Sequence, residues 1–230
     1  MCDFKISNIK NNNVNISTTT NIGVNCEISF PDGFSGRESV NNTIKMGEHT
    51  RFRYFRIIVR GSNNNIVIDD GTFYTGTIMV EGSHLNINIG KNCTINGLFI
   101  TCRDKDVIIG NDCLISSEVK IRSSDSHKIF DLNDDENQIN KPHSPVIIGN
   151  HVWIGQDVYI GKNSFIADGC IIAARATITK KIHTKNCIVA EFNKIIKENI
   201  VCRDHCKLCT GFLFFYKIWE HNFIFSKIKN

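Results

Sequence analysis

The chain has no run of eighteen or more apolar residues and no leader of the secretory type, so neither a membrane-spanning helix nor export is expected. It lacks a basic stripe as well: 27 Lys and Arg stand against 23 Asp and Glu, and the net charge is only +4. That balance excludes the electrostatic footprint of a nucleic-acid binder and slightly favours anionic partners such as a nucleotide or an acidic sugar. A cytoplasmic protein is expected. Its 230 residues are one domain's worth of chain, with enough apolar content for a continuous core.

Helical periodicity is also missing from the central apolar run. Ile148, Ile154, Ile160, Ile166, Ile172 and Ile178 fall at strict six-residue intervals, each followed by Gly149, Gly155, Gly161, Ala167, Ala173 or Thr179. A period of six fits a coil of three short strands, one on each side of a triangular prism. Read as hexads from Val146 (VIIGNH, VWIGQD, VYIGKN, SFIADG, CIIAAR, ATITKK, IHTKNC, IVAEFN), positions one and three point inward and position two outward. Position three is the large aliphatic filler, position one is smaller, and the small residue at position four turns the corner. The register recurs from Val107 and Ile87, and weakly from Ile66, which predicts six or seven 18-residue coils over 66–193. Residues 1–65, Asn-rich and only loosely periodic, are expected to form degenerate first coils or a cap.

Ten cysteines do not imply disulfides, because Cys93, Cys113 and Cys170 occupy position one as core fillers. Cys202, Cys206 and Cys209 with His205 lie beyond the repeats and lack the paired spacing of a zinc ribbon, so no metal is expected. The segment 194–230 ends in an aromatic tail, Phe212 to Phe225, too interrupted by Lys217, Glu220 and His221 to span a bilayer. It is expected to cap the last coil. The alternative is peripheral contact with the inner face of a membrane through its aromatics and Lys217, Lys227 and Lys229.

Two features point to function. From Ile121 to Ile148 is 27 residues, not a multiple of six, so the prism must extrude a loop over 122–145. Continuing the hexads would put His127 in an inward slot, where an imidazole is costly, so the chain is expected to leave the prism there. A long structureless excursion on a regular scaffold is usually functional. The second feature is the outward position, which reads Ile147, Trp153, Tyr159, Phe165, Ile171 and Thr177, with Ile147 over Phe165, Trp153 over Ile171 and Val189, and Tyr159 over Thr177. Such apolar stripes call for a cover, and a threefold set of identical rods supplies one.

These motifs, Ser124-Asp125-Ser126-His127, the loop, Val146 to Gly155, Ile172-Ala173-Ala174 and Ile188 to Ile200, resemble the hexapeptide acyltransferases, in particular bacterial sugar O-acetyltransferases of capsule type. The layout most resembles the polysialic acid capsule enzymes. The resemblance implies a left-handed parallel β-helix, all-β in class, assembled as a homotrimer with sites between subunits, acetyl-CoA as donor and a carbohydrate acceptor. It further implies His127 as catalytic base and Trp153 as a wall of the acetyl and acceptor site. The Ala190-Glu191-Phe192-Asn193-Lys194 segment departs from the family's usual G-x-P-A-K.

A hydroxyl needs its proton removed as it attacks a thioester, the task given to His127, with Asp125 as a candidate orienter. The family's oxyanion donors map to the backbone N–H groups of Gly155 and Gln156. Pantetheine amides would meet the backbone near Gly155, Ala173 and Ala174, and the phosphates would draw on Arg175, Lys180, Lys181 and Lys194. Asn96 resembles in spacing an acceptor-binding asparagine, and His143 is the next candidate substrate contact. The rival readings are an N-acetyltransferase on a nucleotide-linked amino sugar and, on the same fold, a γ-class carbonic anhydrase, although His127, His143 and His151 lack that family's spacing.

Overall fold

The computed structural model describes residues 4–33 and 36–202, and among them every regular element is a β-strand. The strands stack as a parallel solenoid with three sides. The third side is an eight-stranded sheet running from Asn13–Ile16 to Lys181–Ile182. The first and second sides share a 14-stranded sheet, because Arg51–Arg60, Phe73–Glu81 and Thr94–Cys102 each run through both and bend at the corner between them. Gly76 makes one of these bends at φ +128°, and a Cβ there would lie 2.1 Å from the Leu98 carbonyl oxygen, so no other residue fits.

The inward isoleucines form continuous columns. Ile109, Ile148, Ile166 and Ile182 stack from the third side, Ile121, Ile160 and Ile178 from the second, and Ile115, Ile154 and Ile172 from the first. All are buried. At roughly 1.5–3 kcal/mol for each fully buried aliphatic side chain, these columns supply the main driving force for stacking. Position one carries its own column of Cys93, Cys113, Val152, Cys170 and Cys187, all at most 1% exposed, with the Cys170 and Cys187 sulfurs 3.6 Å apart.

The corners are closed by side chains as well as by glycine. Asp70, Asn111, Asn150 and Asp168 each accept, through Oδ1, the backbone N–H of the corner one coil earlier: Glu48, Lys91, Asn111 and Asn150 respectively, at 2.8–2.9 Å. The preceding glycines make room for that approach; a Cβ on Gly110 would stand 2.6 Å from Asn150 Oδ1.

The parallel ladder begins ahead of residue 66, with Phe4–Ser7 on Cys26–Ser29 and Asn13–Ile16 on Thr43–Met46. Asn42 and Asn64, both buried, continue a side-chain amide ladder from Asn12, in which each Oδ1 accepts the next Asn's N–H groups at 2.9 Å. The outward residue over Trp153 and Ile171 is Ile188, not the expected Val189, because the last coil is one residue short. These outward side chains are half-buried, and Ile171 is 9% exposed, since neighbours in a column cover one another.

The extruded loop is not structureless. The chain follows the prism through Ser123, whose hydroxyl bonds both Arg103 backbone groups, and Ser124, whose Oγ meets Asp104 Oδ2 at 2.5 Å. It departs at Asp125, folds as an antiparallel hairpin of Phe130–Asp131 on Asp134–Gln138, and rejoins where Val146 pairs with Val107. The aromatic tail lies outside the described residues, as does the cysteine cluster apart from Cys202.

Candidate active site

The expected site residues occupy two different edges of the prism. Lys120–Ile121 pairs with Tyr159–Ile160 on the second side, so the loop bearing Asp125 and His127 leaves from the edge between the second and third sides. His143 is on that edge too, its N–H bonded to Asn163 Oδ1 at 2.9 Å. Trp153 faces outward on the first side between Leu114 and Ile171, and Gly155, Gln156, Ala173, Ala174 and Arg175 turn the edge between the first and second sides. Asn96, half-buried at a bulge, sits on this same edge two layers before Gly155, about 10 Å away at ~4.8 Å per layer. One prism side, roughly 20 Å or less of extended chain, separates the two edges.

On the first of these edges, His127 is exposed, and its ring has no hydrogen bond or ion pair among the described residues. No hydrogen bond or ion pair joins it to the Asp125 carboxylate, the expected orienter. That carboxylate accepts from Asn140 Nδ2 at 3.0 Å and is ion-paired with Lys162. Partial burial pushes its pKa up, but hydrogen bonds from Lys162 and Asn140, with the charges of Lys162 and Arg122, outweigh this and hold the carboxyl below its ordinary value. Neither Asn140 nor Lys162 stands in a motif that marks it in the sequence.

On the other edge, Gly155 N–H is not an available oxyanion donor, because the parallel ladder takes it to Ile172 O at 2.8 Å; Ala173 N–H likewise goes to Val189 O at 2.8 Å. Gln156 and Ala174, stacked one coil apart, have backbone N–H groups that donate to no group among the described residues. The cause is turn geometry. Ala176 N–H closes on Ala173 O at 3.2 Å with Arg175 at φ +61°, a type II pattern whose second residue points its N–H out of the ladder, and Asp157 at φ +56° repeats it after Gln156. Gly155 permits the close stacking, since a Cβ there would be 2.6 Å from Ala174 N.

The cations divide likewise. Arg175 is highly exposed with a loose 3.9 Å ion pair to Asp157, and Lys194 pairs with Glu191 at 3.5 Å beyond the same edge. Lys180 and Lys181 belong to the other edge and the third side. His151 turns the remaining edge, away from His127 and His143, and among the described residues no three His, Cys, Asp or Glu are grouped as metal ligands.

The fold and the loop define a class by architecture: a hexapeptide-repeat parallel β-solenoid with one extruded, histidine-bearing loop. A family model described as bacterial transferase hexapeptide (six repeats) matches residues 145–180. More particularly, the chain is 31% identical over 145 residues to the polysialic acid O-acetyltransferase of Neisseria meningitidis, covering 63% of each chain. It is 33% identical to the Escherichia coli O1:K1 polysialic acid O-acetyltransferase over 54% of its own length and 39% of that enzyme's. The matches thus span less than two thirds of either relative. Among solved structures it superposes on the polysialic acid O-acetyltransferase OatWY with TM-score 0.73 and 26% identity, over 86% of this chain and 89% of that one. For the polySia-specific acetyltransferase NeuO the values are 0.71 and 25%, over 98% of both.

Proposed function

We propose that this chain is an O-acetyltransferase that moves an acetyl group from acetyl-CoA to a hydroxyl of a bacterial surface-glycan sugar, with sialic acid polymer the first acceptor to try. The observation that carries the reading is the division of labour between edges: an exposed His127 on one, and backbone donors at Gln156 and Ala174 beside the Trp153 wall on the other, all without a partner among the described residues. Similarity to two polysialic acid O-acetyltransferases supports it.

In this mechanism the neutral His127 imidazole takes the acceptor hydroxyl's proton as the oxygen attacks the thioester carbonyl. Gln156 N–H meets the oxyanion that develops, and Ala174 N–H holds a pantetheine carbonyl one layer on. The tetrahedral species collapses, the C–S bond breaks, and the imidazolium returns the proton to the CoA thiolate. No covalent enzyme intermediate is required. The donor's phosphates would meet Arg175 and Lys194 on the same edge as the free donors. A thiol-release assay with acetyl-CoA against sialic acid polymer, nucleotide-linked amino sugars and simple galactosides tests the reading; transfer only to amino sugars would convert it to an N-acetyltransferase.

One prism side lies between base and donor edge, so we also propose that a complete site takes its base from one copy and its donor edge from the next in a threefold assembly. Chains with His127→Ala and chains with Gln156→Pro should each be nearly inactive. Co-assembled at equal amounts they should recover about one quarter of wild-type activity, the share of random interfaces in which both halves are intact. A mixture no more active than its components would place the whole site within one chain.

A further inference from the structure

We propose that Asn140 and Lys162 are positioning residues that fix where the His127 ring stands, an inference that rests on His127 being the base. With no partner for its ring among the described residues, the imidazole is placed by its own backbone and rotamer, and that backbone sits in a loop outside the ladder.

Asn140 holds that backbone from the far end of the hairpin. Its Nδ2 donates to His127 O at 2.8 Å and to Asp125 Oδ2 at 3.0 Å. Its Oδ1 accepts from Ile129 N–H at 2.8 Å and Gln138 Nε2 at 3.0 Å. Both amide hydrogens and both lone pairs are therefore engaged, and one side chain joins the loop's outgoing and returning limbs.

A loop tied only to itself could still swing as a unit. Lys162 prevents this, because it belongs to the prism, following Gly161 at the corner one coil on. Its ammonium donates to Asn140 O at 2.8 Å and ion-pairs with Asp125, so one fixed point holds both limbs. Its side chain is 20% exposed, which shields the pair better than an open surface ion pair. Asp125 thus acts on His127 through the backbone, by anchoring the clamp, rather than through the ring. Since a misplacement of about 1 Å at a reacting group can cost about a hundredfold in rate, a clamp of this kind belongs to the reaction as well as to the fold.

The test compares Lys162→Met, Lys162→Arg and Asn140→Asp in the full-length protein, using acetyl-CoA and the best acceptor from the panel. Asn140→Asp keeps the shape but removes both donations. We expect kcat to fall about ten- to a hundredfold in Lys162→Met and Asn140→Asp, with KM for acetyl-CoA within about twofold because the donor edge is untouched, and Lys162→Arg to keep most of the activity. Amide exchange supplies a readout free of activity: the Ile129 and Ile139 N–H groups should exchange at least about tenfold faster in the two damaging variants, with Ile154 unchanged. Wild-type exchange in both would show that there is no clamp, and a loosened loop with undiminished kcat would show that the clamp does not position the base. A wild-type protein that released no thiol with any acceptor would instead overturn the acetyltransferase reading, and the exchange arm would still decide whether the clamp exists.

Discussion

His127→Ala is expected to lower turnover at least about a hundredfold while leaving assembly and acetyl-CoA affinity as they are, the usual worth of a general base. Few substitutions of a proposed catalytic residue are so free of structural side effects. The ring is exposed and bonds to no group among the described residues, so its removal opens no cavity and strands no buried polar group there. Single-turnover thiol release reads the chemical step, and calorimetric titration with CoA reads the donor edge. Turnover within about threefold of wild type would remove His127 from the mechanism. A parallel loss of CoA affinity would mean that the two edges are not independent.

Gln156→Pro should cost about a hundred- to a thousandfold in kcat, the range measured for loss of one oxyanion-hole donor. Proline deletes only the N–H, and the position suits it: Gln156 precedes Asp157 at φ +56°, the place in a type II turn where proline is favoured. The side chain of Gln156 is exposed, so Gln156→Ala serves as the control and should stay near wild type. Equal losses in the two variants would shift the role from the backbone to the glutamine side chain. A fully active Gln156→Pro protein would mean that the oxyanion is met elsewhere.

How much of this was legible in the sequence depends on the kind of interaction. Where a coil is 18 residues with a break at each corner, as over Val146 to Ile178, the isoleucine period alone predicts the columns that the structure contains; the last coil runs short, so Ile182 and not Thr184 stands on Ile166. Earlier coils hid themselves. Ile66 pairs with Ile87 and Ile87 with Val107, intervals of 21 and 20 residues, and their long strands bend through two sides at Gly76 and Gly97 without repeating a hexad. The loop betrayed its position by breaking register, but its clamp could not be read, because Asp125 meets Lys162 37 residues on and Asn140 gives no local signal. The oxyanion donor shows the same limit. Gly155 and Gln156 are neighbours of equal promise in sequence, and only the coil stacked beneath decides whose N–H is taken.

The column of thiols inside the first side has a consequence for measurement. Burial pushes the Cys187 thiol up to about 12, with Cys170 beside it adding to the rise, and the Cys102 thiol to about 12, so neither offers appreciable thiolate to an alkylating reagent at neutral pH. Labelling must wait until a layer opens. Because each coil of a solenoid rests only on its neighbours, the ends open more readily than the middle. Cys187 in the last described coil and Cys113 in the loop-bearing one are thus native clocks at different depths, and mass spectrometry of their alkylation would time the fraying of the solenoid layer by layer, without a single introduced probe.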